Sequence, residues 1–313
     1  MISISATKLH VRIIQQGDKF AEEPKYKTSN KLKQTKSYNS LIMKKLNTFT
    51  LFFIILIGMS TASCSSSDDN QNNPPSTPDI IEGSGNNDVL VWSDEFDGDG
   101  AINNQFWNYE TGGGGWGNQE VQVYTTSSDN IVKENGILKI TAVKESNGTY
   151  TSARITTQNK IDFKYARIDI RAKLPSLAGT WPALWMLGDN FSNSSVGWPK
   201  CGEIDIMEQF ADKTYVQATC HWDSNGSTAS YGLPTNLSTP TAFHTYSIDW
   251  RQGSIKAYVD DVEYFVMSTN NSMPFDANFF FIFNVAMGGT NGGAIDPNFT
   301  SDSMEVDYIR VYQ

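Results

Sequence analysis

The chain has 313 residues with 24 basic and 34 acidic side chains and three cysteines, a length that accommodates one large domain or two small ones. So few cysteines exclude a disulfide scaffold. Residues 65–313 carry 14 Lys and Arg against 31 Asp and Glu, a net charge of −17, which repels phosphate backbones and argues against a nucleic-acid partner.

Residues 1–42 form a basic, polar lead, and the true start of translation is expected at Met43. Residues 43–64 read MKKLNTFTLFFIILIGMSTASC, with two lysines before an apolar run from Phe49 to Met59. That run is too short to span a bilayer comfortably and has the flanks of an export signal. The small residues before Cys64 resemble a bacterial lipoprotein signal, in which cleavage leaves that cysteine as the lipid-bearing N-terminus. Thr61 stands where such signals usually carry Leu, and a plain secretory signal cleaved near Ala62 or Ser63 is the alternative. The chain is therefore expected to be exported, either as an outer-membrane lipoprotein anchored only through Cys64 or as a secreted protein. Residues 65–87, polar and proline-containing, read as a flexible tether.

The folded part is expected over 88–313, starting with VLVWSDEFDG. Short runs follow in order: GILKITAV, YARIDIRAKL, CGEIDIME, VQATCHW, HTYSIDW, SIKAYVDD, FFFIFNVAM and MEVDYIRVYQ. Each is β-branched or aromatic and bounded by Gly, Asn, Asp or Pro, the signature of strands between turns. YARIDIRAKL and SIKAYVDD alternate as strands with one wet face do, whereas FFFIFNVAM does not and is expected deep between layers. No long amphipathic helix, second linker or fixed-period repeat interrupts the pattern. It predicts a single all-β domain, a sandwich or barrel of antiparallel sheets; the protein is expected to be a monomer. Strand parity places Cys201 on the face of Glu203 and Cys220 opposite to His221, so no disulfide is expected between them. Aromatics make up 12 % of the chain, with 8 Trp, more than a core requires; they favour a planar ligand such as a neutral sugar polymer.

Within CGEIDIME, Glu203 and Asp205 share one face of a strand, but Glu208 arrives one residue late. A bulge at Met207 or its neighbour returns Glu208 to the acidic face. Three crowded carboxylates raise at least one pKa, costly for stability but useful for an acid catalyst. Glycoside cleavage needs one ionised carboxylate to attack the anomeric carbon and one protonated carboxyl to serve the leaving oxygen. A solvated acidic strand face, or a calcium site built from these side chains, is the competing reading.

GEIDIME, preceded by WPALWMLG at Trp181–Gly188 and followed by ATCHW at Ala218–Trp222, resembles glycoside hydrolase family 16. Within that family the likeness is to the bacterial laminarinase-like endo-β-1,3-glucanases. ETGGGGWGNQEVQVYT from Glu110, SARI from Ser152, FHTYSIDW from Phe243, FNVAMGG from Phe283 and VDYIRVYQ from Val306 look like family segments in family order. The resemblance implies a β-jelly-roll sandwich of two curved antiparallel sheets with a concave substrate cleft, and no cofactor for catalysis. It implies that Glu203 is the nucleophile, Asp205 an assisting acid and Glu208 the general acid/base. Trp116, Trp181, Trp185 and Trp198 would stack on glucose rings, while Asn118, Glu120, Arg154, His221 and Asn284 would bond their hydroxyls. It further implies one structural Ca2+ at Glu95, Gly136 and Asp307, partly through backbone carbonyls. The expected activity is retaining endo-hydrolysis of β-1,3-glucan. A same-fold enzyme on mixed-linkage glucan or agarose, a transglycosylase, and a non-catalytic glucan-binding surface lipoprotein remain the alternatives.

Overall fold

The computed structural model describes residues 89–313, all within the compact unit Pro78–Gln313; the expected signal, Cys64 and tether lie outside the described residues. All of the runs singled out above form strands, and the described helical segments, Asp189–Ser192, Gly197–Lys200 and Gly289–Gly292, are four residues each. The larger sheet runs from Val262–Ser268 through Ser254–Val259, His244–Arg251, Ala166–Lys173, Ser301–Tyr312, Ile137–Lys144 and Tyr150–Ser152 to Gln122–Tyr124. The smaller runs from Ser227–Asn236 through Tyr215–Ser224, Glu203–Glu208, Thr180–Gly188, Phe279–Met287 and Arg154–Thr156 to Asn108–Glu110.

Antiparallel sheets are expected from sequence, but one pair departs from that: Gln122–Tyr124 runs parallel to Tyr150–Ser152. This happens where the chain changes sheets. Tyr150–Ser152 belongs to the larger sheet and Arg154–Thr156 to the smaller, with buried Ala153 as the corner between them.

Alternation builds the core between the sheets. Ala166–Lys173 is buried at every second residue, whereas Phe279–Met287 is buried at all nine positions. Phe279, Phe281 and Phe283 turn into the main core, and each such side chain contributes about 1.5–3 kcal/mol relative to exposure. Phe280 and Ile282 join Leu187 and Cys201 in a second cluster, against which Val196 and Trp185 pack. That cluster seats the segment leading into the Glu203–Glu208 strand. Gly188 is required at its base: a β-carbon there would lie 2.1 Å from the Cys201 carbonyl oxygen. Cys201 and Cys220 are both buried and free. They fall in different clusters, Cys201 in the smaller and Cys220 in the main core, as parity required.

Ser227–Asn236 forms a ten-residue strand that carries no apolar alternation and contains Gly232 and Pro234. Proline is tolerated there because the strand is an edge and pairs only with Tyr215–Ser224.

Candidate active site

The bulge is present and sits at Ile206–Met207. Toward Thr180–Gly188, Trp185 faces Asp205 and Leu184 faces Met207, leaving Ile206 without a partner. Toward Tyr215–Ser224, Asp205 faces Thr219 and Glu208 faces Gln217, so two residues span the place of Ala218 alone. Ile204, Ile206 and Met207 all enter the main core. Two consecutive apolar side chains thus go inward, and Glu208 returns to the face of Glu203 and Asp205.

On that face each flanking acid accepts an indole N–H. Trp198 Nε1 donates to Glu203 Oε2 at 2.7 Å, and Trp181 Nε1 donates to Glu208 Oε1 at 2.9 Å. His221, directly opposite Glu203 in the ladder, places Nε2 4.0 Å from Glu203 Oε1 and 3.3 Å from Asp205 Oδ2. The second contact is close but poorly directed, because Asp205 Oδ2 is sealed and takes no hydrogen bond. Ser230 Oγ lies 2.6 Å from His221 Nδ1 and steadies the ring from the edge strand.

Burial pushes all three carboxyls up. Glu208 stands well above the usual carboxylate range through burial and then the negative charge of Asp205, against the pull of the Trp181 N–H. Asp205 is raised well above it by burial, by the charge of Glu203 and by a hydrogen bond between the two acids. That same bond lowers Glu203. Glu203 itself is raised by burial, opposed by His221, Trp198, Asp205 and Arg154. One acid that holds its proton to high pH beside one whose neighbours favour ionisation is the division of labour that glycoside cleavage requires.

Arg154 forms a wall beside the acids. Its guanidinium lies 4.8 Å from the Trp116 ring centroid and 4.9 Å from that of Trp185, and it pairs with Glu110. Trp185 Nε1 donates to Asn284 Oδ1 at 2.8 Å, and Asn284 Nδ2 donates to the Tyr124 hydroxyl at 3.1 Å. Glu120 then gathers Tyr124, Gln122 and Asn118 as donors. Of the four tryptophans, Trp198 is 49 % exposed, whereas Trp181 is 7 % exposed and packs edge-on against Phe210. Sequence reasoning passed over Glu110, Gln122 and Tyr124. The period-two series Glu120, Gln122, Tyr124 was the available signal for the last two, since alternating polar residues mark one strand face.

The positions expected to hold calcium lie elsewhere, around the larger sheet. Glu95 grips Arg310 through both carboxylate oxygens, at 3.0 and 2.8 Å, and Asp307 pairs with Arg171. The Glu95 carboxylate is therefore committed and does not fit a cation. Gly136 occupies a turn at φ 74°, and Asp307 is the extra residue where the register passes from Val306 to Tyr308. Among the described residues, the trio of His and acid side chains within metal-ligating reach is Glu203, Asp205 and His221.

The raised pKa of Glu208 has a stability consequence. The unfolded chain releases this proton above about pH 4.3, while the folded chain retains it until pH passes the higher folded value. The group's contribution is thus full below about pH 4 and lost as pH rises. Glu208→Gln is expected to melt higher than the unsubstituted protein at alkaline pH, with the gap closing toward about pH 4. Melting temperatures of both proteins across that range check this; a gap that widens on acidification contradicts it.

Residues 118–310 match the model of glycosyl hydrolases family 16. A beta-glucanase from Rhodothermus marinus is 40 % identical over 242 residues, covering 72 % of this chain and 85 % of that protein. A substituted LamA from Zobellia galactanivorans, solved with laminaritriose and laminaritetraose, has a TM-score of 0.67 at 38 % identity, over 72 % of this chain and 99 % of that one. The laminarinase catalytic domain of Thermotoga maritima MSB8 has a TM-score of 0.66 at 43 % identity, over 73 % and 99 %. A match over more than half of the chain, together with a strand bent to collect three acids, places this β-jelly-roll protein in glycoside hydrolase family 16, among its bacterial laminarinase-like enzymes.

Proposed function

We propose that this enzyme hydrolyses β-1,3-glucan of the laminarin type internally and with retention of configuration. The observation that carries the proposal is the bulge that sets Glu203, Asp205 and Glu208 on one face, each outer acid held by an indole N–H. In this reading Glu203 attacks the anomeric carbon as the bond to the leaving oxygen breaks, and the proton of Glu208 passes to that oxygen. The leaving chain departs as an alcohol, and Glu203 carries the remaining glycosyl group. Water then attacks the same carbon, giving its proton to Glu208 and releasing Glu203. Asp205 shares a hydrogen bond with Glu203 and can strengthen that bond when the glutamate leaves as a carboxylate. The Arg154 wall with Trp116 and Trp185, and exposed Trp198, offer planar and hydrogen-bonding surfaces suited to glucose rings.

The similarity to a beta-glucanase and to laminarinases supports β-glucan as the polymer. Structural calcium through the carbonyls of Glu95 and Gly136 with Asp307, and lipid attachment at Cys64, complete the proposal.

Glu203→Ser and Glu208→Ser are each expected to fold normally and lose about 10²–10⁴-fold or more of turnover on laminarin. Proton NMR of the first-formed reducing ends should show the β anomer. Full activity in either variant, or α anomer formed first, contradicts the proposal. Millimolar calcium should raise the melting temperature by several degrees and a chelator should reverse it; unchanged melting removes the calcium site. Labelled fatty acid should enter the wild type in its native host but not Cys64→Ala, and equal labelling of both removes the anchor.

A further inference from the structure

Trp181 contributes more than a ring face. It lies in the Thr180–Gly188 strand, where small Ala183 is the ladder partner of Glu208 and leaves room for the indole to reach across. The residue is held from two sides. Phe210 stands edge-on at 6.4 Å, and Gly292 packs so closely that an added β-carbon would come within 3.4 Å of Trp181 Cβ and 3.0 Å of the Gly179 carbonyl. Both Trp181 and Glu208 are less than a tenth exposed, which leaves little room for water to replace the indole as partner.

An indole N–H donates and cannot accept. A protonated carboxyl has one carbonyl oxygen, the stronger acceptor, and one hydroxyl oxygen, which accepts only weakly. The Trp181 N–H points at Glu208 Oε1 from 2.9 Å, which favours Oε1 as the carbonyl oxygen. Oε2 takes no hydrogen bond from the described residues and, unlike Asp205 Oδ2, is not sealed from solvent.

We propose that Trp181 is a positioning residue that assigns the proton of Glu208 to Oε2, the oxygen open to the glycosidic bond. The inference rests on Glu208 being the general acid. With the proton on Oε2, donation to the leaving oxygen requires no carboxyl rotation, and transfer leaves a carboxylate whose Oε1 already has a donor. The charged and titratable groups facing Glu208 are Asp205, Glu203 and His221. All three belong to the Glu203–Glu208 strand and its Tyr215–Ser224 neighbour, so a change at Trp181 leaves them in place.

The test compares two leaving groups in Trp181→Phe, which keeps an aromatic ring and removes the N–H. On laminarin, whose leaving oxygen needs the proton, kcat/KM is expected to fall about 10- to 100-fold. On an aryl laminarioligosaccharide with a dinitrophenyl leaving group, which departs without protonation, the fall is expected to stay under about threefold. The alkaline limb of the laminarin pH profile should move upward, because the lost N–H favoured the carboxylate. Equal losses on both substrates, no loss on either, or an unmoved limb overturns the inference. Glu208→Gln is the reference: if it cleaves laminarin at the wild-type rate, the reading of Glu208 fails, and this inference with it. A second readout needs no folded variant. In the nitrogen-labelled wild-type enzyme, the Trp181 indole N–H resonance should shift with pH along the alkaline limb, and a resonance flat across that range overturns the inference.

Discussion

One extra residue in one strand is the constraint on which the site depends. A regular strand through GEIDIME would carry Glu208 to the inner side with Ile204 and Ile206 and leave Met207 on the acidic face. An unpaired carboxyl among those side chains would cost several kcal/mol and would shed its charge rather than stay there. The hydrophobic core therefore enforces the bulge: Ile206 and Met207 are both worth burying, and sending both inward turns Glu208 out. Packing and catalysis are served by the same local distortion. The flanking strands accommodate it with register shifts at Leu184–Trp185 and between Gln217 and Thr219.

Collecting three acids on a buried face is electrostatically unfavourable, and the surroundings show how that is managed. Burial raises all three, and like charge raises Asp205 and Glu208 further. The neighbours then separate them: an indole, a histidine and a hydrogen bond with Asp205 favour the charge of Glu203, while that bond raises Asp205 further. The free energy lost in this arrangement is offset elsewhere by the all-buried Phe279–Met287 strand and the two apolar clusters it feeds. Rigid sheet positions hold Glu203, Asp205, Glu208 and Trp181, and a short connecting segment brings Trp198 over Glu203. That segment is anchored by Cys201 and Val196 on the cluster around Leu187.

Much of this was legible in the residue order because each level of the fold repeats the same instruction. Period-two alternation gave Ala166–Lys173, its absence gave the buried Phe279–Met287, and the late glutamate gave the bulge. Ser227–Asn236 was not legible, since an exposed edge strand needs no apolar face and tolerates Gly232 and Pro234. The parallel pair at Gln122–Tyr124 was hidden because it arises from a sheet crossing at Ala153, a long-range event with no local signal. In the site, residue types were readable but hydrogen-bond direction was not. Trp181 and Trp198 look alike in sequence, yet one is nearly buried against an acid and the other half exposed. Likewise Glu95 and Asp307 offered carboxylates on paper, while Arg310 and Arg171, distant in the chain, had already claimed them.

The central claim is that the bulge aims Glu203 and Glu208 at opposite duties on one sugar. Azide rescue of alanine variants tests it most directly, because azide is small enough to replace either carboxylate and the configuration of the product reports which was removed. Glu208→Ala with azide should yield the β-glycosyl azide, by attack on a glycosyl group still held by Glu203. Glu203→Ala should yield the α-glycosyl azide, by direct displacement from the vacated side. The reverse configurations, or a β product from both, would contradict the account.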